Sequence, residues 1–296
     1  MTGVLPIQLR FAGYQGPHSP HTSAAATFLD RLSDRLGTLP VEVALQPDIL
    51  RLGHATADLP TLMSAGRFEF CYLSTSYLAR FAPEFSQLDT PYAYDTVETA
   101  LADLDGPLGQ RISEALLAQS GLRVLGYWSN GLRHLTNRVR PIWTPTECQG
   151  LRIRAIENYL HTKLFERLGF DVIPLDLREL MPAVEDGTVD AQDNSLATID
   201  RLGTLRHHRY LTMTGHLVGI VALLCREATY QRWPSQVREA VALAAVEATS
   251  IQRTIASAKE SALEKALAAD PSIEVANLST AERARFRARF VPEQAA

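Results

Sequence analysis

Between residues 234 and 269 the chain is almost uninterrupted helix former, opening on Pro234, which suits a first helical position, and stopping at Asp270-Pro271. At about 1.5 Å per residue such a helix runs on the order of 50 Å, longer than a small domain is wide. Its inner stripe, Val237, Val241, Ala244, Ala248, Ile251, Ile255, Ala258 and Ala262, is narrow and mostly small. A free coiled coil wants bulkier residues there, so the helix is expected to pack on the protein's own body. With 296 residues, two lobes of ordinary size are the default, and the helix is expected to lie along both.

The remaining chain supplies those lobes. Residues 7–12 alternate as a first strand, ended by Gly13 and a loop of turn formers from Tyr14 to Thr22. A helix over 23–36, a strand over 41–45, a short helix over 58–65 and a buried strand over 68–73 follow, the last opening into Ser74-Thr75-Ser76. That alternation predicts a parallel α/β lobe. One helix is expected over 101–120 and a strand over 123–128, after which the chain changes lobe. Strands over 150–154, 172–174 and 189–192 then alternate with helices over 158–168 and 178–186. The run 217–225 is too short to cross a membrane and reads as a buried strand returning to the first lobe; a last helix covers 281–290. The expected division is 1–130 plus about 217–255 for lobe I and 131–216 plus about 256–296 for lobe II, with a ligand cleft between them.

Composition narrows the function. The chain is 46% hydrophobic and 21% charged, as in a globular protein, and no apolar run is long enough to span a bilayer. A net charge of -4 argues against a general nucleic-acid binder. Cys71, Cys148 and Cys225 lie far apart without CxxC spacing, so neither a disulfide framework, a metal site nor a cofactor is expected. His18, His21, His207 and His208 lack metal-ligand spacing and read as surface or loop residues. The Met1-Thr2-Gly3 start carries neither a basic nor an apolar leader region. The chain is therefore either cytosolic or a mature secreted protein whose signal has been removed.

Chemistry concentrates between Gly126 and His216. In Gly150-Leu151-Arg152-Ile153-Arg154, alternation sends Leu151 and Ile153 to one side and Arg152 and Arg154 to the other. Asn130-Gly131-Leu132-Arg133 adds another arginine, and Asp190-Ala191-Gln192-Asp193-Asn194-Ser195 adds amides, acids and a hydroxyl. Together they predict a socket for a small organic anion. An arginine on a strand is more often a solvated charge, and Arg138 and Arg140 are read that way. Arg133 either meets the ligand or braces its own protein through a carboxylate. Asn194 either caps the helix starting near Ser195 or meets the ligand; Asp193 reads as an internal partner for an arginine. Tyr14, Trp128 and Leu177 are candidates to shape an apolar pocket, with Trp128 better read as core.

The runs Gly126-Tyr127-Trp128-Ser129-Asn130-Gly131-Leu132-Arg133, Gly150 to Arg154, Gly187-Thr188-Val189-Asp190-Ala191-Gln192-Asp193-Asn194 and Tyr210-Leu211-Thr212-Met213-Thr214-Gly215-His216 closely resemble, in order and spacing, the solute-binding proteins of tripartite ATP-independent periplasmic (TRAP) transporters. The likeness covers essentially the whole chain. It implies a two-lobed α/β fold of the periplasmic-binding-protein type, with the long helix spanning both lobes. It also implies a monomer without catalytic role that closes on an organic acid in the periplasm, its signal peptide removed, and passes it to a sodium-driven membrane permease. On this resemblance Arg154 grips the ligand carboxylate bidentately, Arg133 supports it and Asn194 donates an amide hydrogen bond. Ser74 and Glu157, and the loop from Tyr14 through Gln15 to His18, are expected to line the same cleft. The chain departs from the family pattern at Ala191, Asp193 and Ser195 and at Ile156 and Asn158, so backbone geometry near Asn194 is expected to differ.

Two other readings stay open. An α/β enzyme acting on an organic acid would use the paired arginines for substrate and Asp193 or His216 as acid or base, but there is no phosphate-cradling glycine loop, no GxSxG elbow and no nucleophile beside a base. A ligand-sensing module would need only closure on a ligand, as the transport protein does.

Overall fold

A computed structural model describes residues 6–290, so the Met1-Thr2-Gly3 start lies outside the described residues. In chain order the elements are β1 (Ile7–Ala12), α1 (Pro20–Leu36), β2 (Val41–Gln46), α2 (Leu59–Ser64), β3 (Phe70–Ser74), α3 (Val97–Leu104), α4 (Pro107–Ser120) and β4 (Leu122–Asn137). They continue as β5 (Arg152–Ala155), α5 (Tyr159–Leu168), β6 (Asp171–Pro174), α6 (Leu177–Glu185), β7 (Ala191–Asn194), α7 (Leu196–Leu202), β8 (Tyr210–Arg226), α8 (Glu227–Tyr230), α9 (Ser235–Ala269), β9 (Glu274–Ala276) and α10 (Thr280–Ala288). The long helix expected from sequence is α9, 35 residues in one piece.

The chain divides into two compact units. The first takes the described residues up to Phe85, Leu101–Ser129 and Ile220–Ser257; the second takes Ser86–Ala100, Asn130–Gly219 and the described residues from Ala258. Sequence places residues 86–100 in the first lobe, yet they fold with the second unit. There the Tyr92 N–H donates to His216 O at 2.9 Å, and the Tyr92 ring joins a buried cluster with Leu135, Ile153 and Phe165.

In the first unit β1 lies parallel to β2 and β3, but β3 pairs antiparallel with β8, Phe70 opposite Cys225 and Ser74 opposite Val221. The lobe is thus mixed rather than purely parallel, because β8 arrives as a direct continuation of a strand begun in the second unit and needs no crossover helix. Its core stacks Phe28 on Phe70 edge to face, centroids 4.9 Å apart, with Phe11 beside both. Helix α1 begins earlier than the apolar periodicity indicates, since Ser19 Oγ accepts from Thr22 N at 3.0 Å and Pro20 takes the first helical position.

On α9 the expected stripe holds at Val237, Val241, Ala244 and Ala248, then departs from the sequence reading: Gln252, Ala256 and Leu263 are buried, while Ala258 and Ala262 are exposed. The polar Gln252 is fully buried. It accepts from Ser129 N at 2.8 Å and donates to Ser129 O at 2.7 Å, so both ends of its buried amide are satisfied by one backbone residue.

The single helix expected over 101–120 is two helices. Pro107 lacks the N–H that would bond the preceding turn and biases Gly106 away from helical backbone; Gly106 is extended at φ -106°, ψ -158°. The chain folds back so closely that a Cβ on Gly109 would sit 1.8 Å from Leu104 O. Gly109→Ala is expected to cost about 2 kcal/mol of stability, read as a lower urea midpoint; an unchanged midpoint would show that this corner relaxes freely.

In the second unit β7 pairs antiparallel with β4 and parallel with β5, which is parallel to β6, and β9 adds to β8. Thr136 and Arg154 are both register partners of Gln192, and His134 is the partner of Asn194. Since directly paired residues share a face, Arg154, Gln192, Asn194, Thr136 and His134 lie on one face of this sheet. Asp193, Leu135 and, by alternation, Arg133 lie on the other.

Candidate functional site

Arg154, on β5, is the most deeply buried arginine of the second unit, 1% exposed. Its Nε donates to Leu175 O at 2.9 Å, its Nη2 is buried without a hydrogen-bond partner, and no carboxylate pairs with it among the described residues. Arg152, two residues earlier and on the same face, is 43% exposed and binds Asp190 through two bonds of 2.8 Å. Asp190 also takes Arg138, and the hydrogen bond from Arg152 is the main reason its pKa falls to about 2. Periodicity alone could not separate the two arginines; the position of Asp190 does.

Arg133 is bound internally. Its Nε donates to Asp193 Oδ2 at 2.5 Å and its Nη2 to Asp193 O at 2.8 Å, and His216 Nε2 lies 3.3 Å from the same carboxylate oxygen. Burial would raise the Asp193 pKa, but the Arg133 charge and the hydrogen bonds from His216 and Arg133 outweigh it and hold the carboxyl far below its usual range. Burial lowers the His216 pKa despite its acidic neighbour, and its Nδ1 lies 2.7 Å from Thr214 Oγ1. The pair named for acid–base chemistry in the enzyme reading is thus one anion clamped by an arginine beside a histidine held toward its neutral form.

Asn194 does not cap α7. Ser195 does, its Oγ accepting from Thr198 N, while Asn194 Nδ2 donates to Gln192 Oε1 at 2.7 Å. Glu260 of α9 reinforces that helix start by accepting from Leu196 N and Ala197 N, and burial pushes its pKa up to about 7. Gly131, at φ +71°, is needed there, since a Cβ would meet Glu260 at 2.8 Å.

The other predicted site residues fall into two sets. Glu157 and Leu177 belong to the second unit with Arg133, Arg154 and Asn194: Glu157 is exposed just after β5, and Leu177 is buried as the first residue of α6. Beside Glu157, Asn158 caps α5 by accepting from Leu160 N and donates to Asp89 Oδ2 at 3.1 Å, a partner absent from the sequence reading of this departure. Tyr14, Gln15, His18 and Ser74 belong to the first unit. His18 is exposed; Ser74 is buried at the end of β3; the Tyr14 and Gln15 N–H groups donate to Tyr72 Oη at 3.2 and 3.0 Å. Trp128 is fully buried core.

Several readings are corrected. His21 and His208 are buried, not surface residues: His21 stacks on Tyr72, and His208 Nδ1 lies 3.0 Å from Thr136 Oγ1. Arg138 is exposed as read, though bonded to Asp190 and Gly187 O, while the half-buried Arg140 is tied to Glu147 O and Gln149 O rather than solvated. Sequence reasoning missed Tyr72, Thr136 and Glu260, and placed Gln192 in the socket run without a partner for it. Only Gln192 left a signal, a polar residue in the middle of a short buried strand.

The chain matches the DctP family, described as bacterial extracellular solute-binding protein, family 7, over residues 11–295. Among curated relatives it is 29% identical to the protein y4mM of Sinorhizobium fredii over 93% of the chain, and 28% identical to the 2,3-diketo-L-gulonate-binding periplasmic protein YiaO of Escherichia coli, over 83% of the chain and 74% of that protein. It spans about half the length of the first relatives: 50% of y4mM and 56% of a solute-binding protein of Verminephrobacter eiseniae. Among solved structures, the sugar acid binding protein DctPAm of Advenella mimigardefordensis, in complex with galactonate, superposes with a TM-score of 0.91 at 28% identity, covering 98% of this chain and 92% of that one.

Proposed function

This chain belongs to family 7 of the bacterial extracellular solute-binding proteins, the DctP family, and we propose that it captures a small organic acid, with Arg154 as the main carboxylate ligand. One observation carries the reading: a guanidinium 1% exposed, with one carbonyl contact, a buried Nη2 lacking a partner and no carboxylate of its own. A buried charge left in that state is costly, so a bound anion offers it a large gain. The planar fork presents parallel N–H donors that match two carboxylate oxygens. Arg133, committed to Asp193, acts as a brace behind the site, and Asn194 lies on the Arg154 face two residues beyond Gln192, the register partner of Arg154.

The relatives support a sugar-derived acid: the Advenella protein holds galactonate and the Escherichia coli protein is named for 2,3-diketo-L-gulonate. The protein works as a monomer in the periplasm and delivers its ligand to the membrane subunits of a TRAP transporter. In support, the family is described as extracellular, and no helix among the described residues is long and apolar enough to cross a membrane. A thermal-shift screen followed by calorimetry tests the binding claim. Galactonate, malate and other small acids should stabilise the protein and bind with one site per chain, whereas neutral sugars and amines should not; stabilisation confined to sugars or amines would overturn it.

A further inference from the structure

The polar groups on the Arg154 face of β7 are joined in one direction. Asn194 Nδ2 donates to Gln192 Oε1 at 2.7 Å, Gln192 Nε2 donates to Thr136 Oγ1 at 2.6 Å, and Thr136 Oγ1 lies 3.0 Å from His208 Nδ1. All four residues are buried. The sheet register brings them together, since Gln192 is the Cα partner of Thr136 on one side and of Arg154 on the other. Burial above all, then the charges of Arg138 and His207, lowers the His208 pKa to about 4, so its ring is neutral near pH 7. Thr136 Oγ1 already accepts from Gln192, and its own hydrogen is left for His208 Nδ1. A hydroxyl oxygen can accept twice, so this direction requires the Nε2–H tautomer of His208, whose Nε2 is buried without a hydrogen-bond partner among the described residues.

A carboxamide has one accepting and one donating end. With Nδ2 turned to Gln192, Asn194 is left with Oδ1, which accepts no hydrogen bond among the described residues, and with its second amide hydrogen. Asn194 lies two residues beyond the register partner of Arg154, about 7 Å along the same face. A group reaching it therefore belongs to the same small molecule as the carboxylate and lies within a few carbons of it. A hydroxyl can donate to Oδ1 and accept from the remaining N–H. A methylene leaves both unpaired, and a second carboxylate sets oxygen against oxygen.

We propose that Gln192, Thr136 and His208 are positioning residues that set the orientation of the Asn194 amide, and that the site thereby selects acids with a hydroxyl close to the carboxylate over the same acids without it. This rests on the carboxylate reading of Arg154, and the test separates the two. In the ligand-free protein, long-range proton–nitrogen correlation should find His208 as the neutral Nε2–H tautomer. The Nδ1–H tautomer would overturn the relay, because the Thr136 hydroxyl hydrogen would then be free to turn to Gln192 and either end of that amide could face it. Calorimetry on two matched pairs, malate with succinate and galactonate with 2-deoxygalactonate, reads the selectivity. The parent protein should favour the hydroxylated member of the pair it binds by about tenfold. Thr136→Val should shrink that preference to about threefold or less while binding the deoxygenated acid nearly as before, and Thr136→Ser should restore it. A preference undiminished in Thr136→Val refutes the positioning role. Failure of every acid to bind refutes the carboxylate reading and the selectivity built on it, while the tautomer still decides the relay.

Discussion

Arg154→Ala should bind its best acid roughly two to four orders of magnitude more weakly than the parent protein. Removing one partner of a buried charge pair costs about 3 to 5 kcal/mol, and each factor of ten is about 1.4 kcal/mol. The size follows from isolation. No other arginine of the second unit combines near-complete burial with the lack of a carboxylate partner: Arg133 has Asp193, and Arg138 and Arg152 share Asp190. Arg154→Lys should recover only part of the loss, since an ammonium is a point charge without the planar fork. The unliganded Arg154→Ala protein should be no less stable than the parent, because the deleted charge has so little compensation of its own. Calorimetry on variants shown to be folded by circular dichroism measures both effects. Near-native affinity in Arg154→Ala would place the ligand elsewhere.

Asp193→Asn should act on the opposite quantity, lowering folding stability by about 3 to 5 kcal/mol. The substitution keeps the volume but removes the charge that pairs with Arg133 and faces His216 in a fully buried setting. The same carboxylate gives the parent protein a distinct acid response. Its folded pKa lies far below the unfolded value of about 3.9. The unfolded chain therefore takes up the proton first as pH falls, so the stabilisation is complete above about pH 4 and is lost below it. Urea titrations of the two proteins should differ by a constant amount at neutral pH and converge in acid. A constant difference down to the acid unfolding of the parent would show that Asp193 is not the group responsible.

Local pattern made much of this protein readable. β1 and β2 begin where alternation places them, and α5 ends at Gly169 in left-handed backbone. The Arg154 strand is visible because alternation along Leu151, Ile153 and their neighbours needs no knowledge of the rest of the chain. Helix α9 is visible for the same reason: propensity and the Asp270-Pro271 stop are local properties. The break at Gly106-Pro107 is equally local, yet the helix formers on both sides of it read as one continuous helix.

What stayed hidden depends on residues far apart in sequence. Arg152 and Arg154 are equivalent by period; they differ because Asp190, 38 residues from Arg152, reaches one of them. His208 reads as a loop residue until strand pairing brings Thr136 to its ring, 72 positions away. Residues 86–100 carry no mark of the core they join, which is set by a bond to His216. The sequence by itself determined most of the elements, the long helix and the strand that carries Arg154, because each rests on spacing along one segment. Only the tertiary structure decided which charges are neutralised within the protein and which amide end faces outward, because pairing of buried polar groups is a property of strand register, and register joins segments that no local pattern connects.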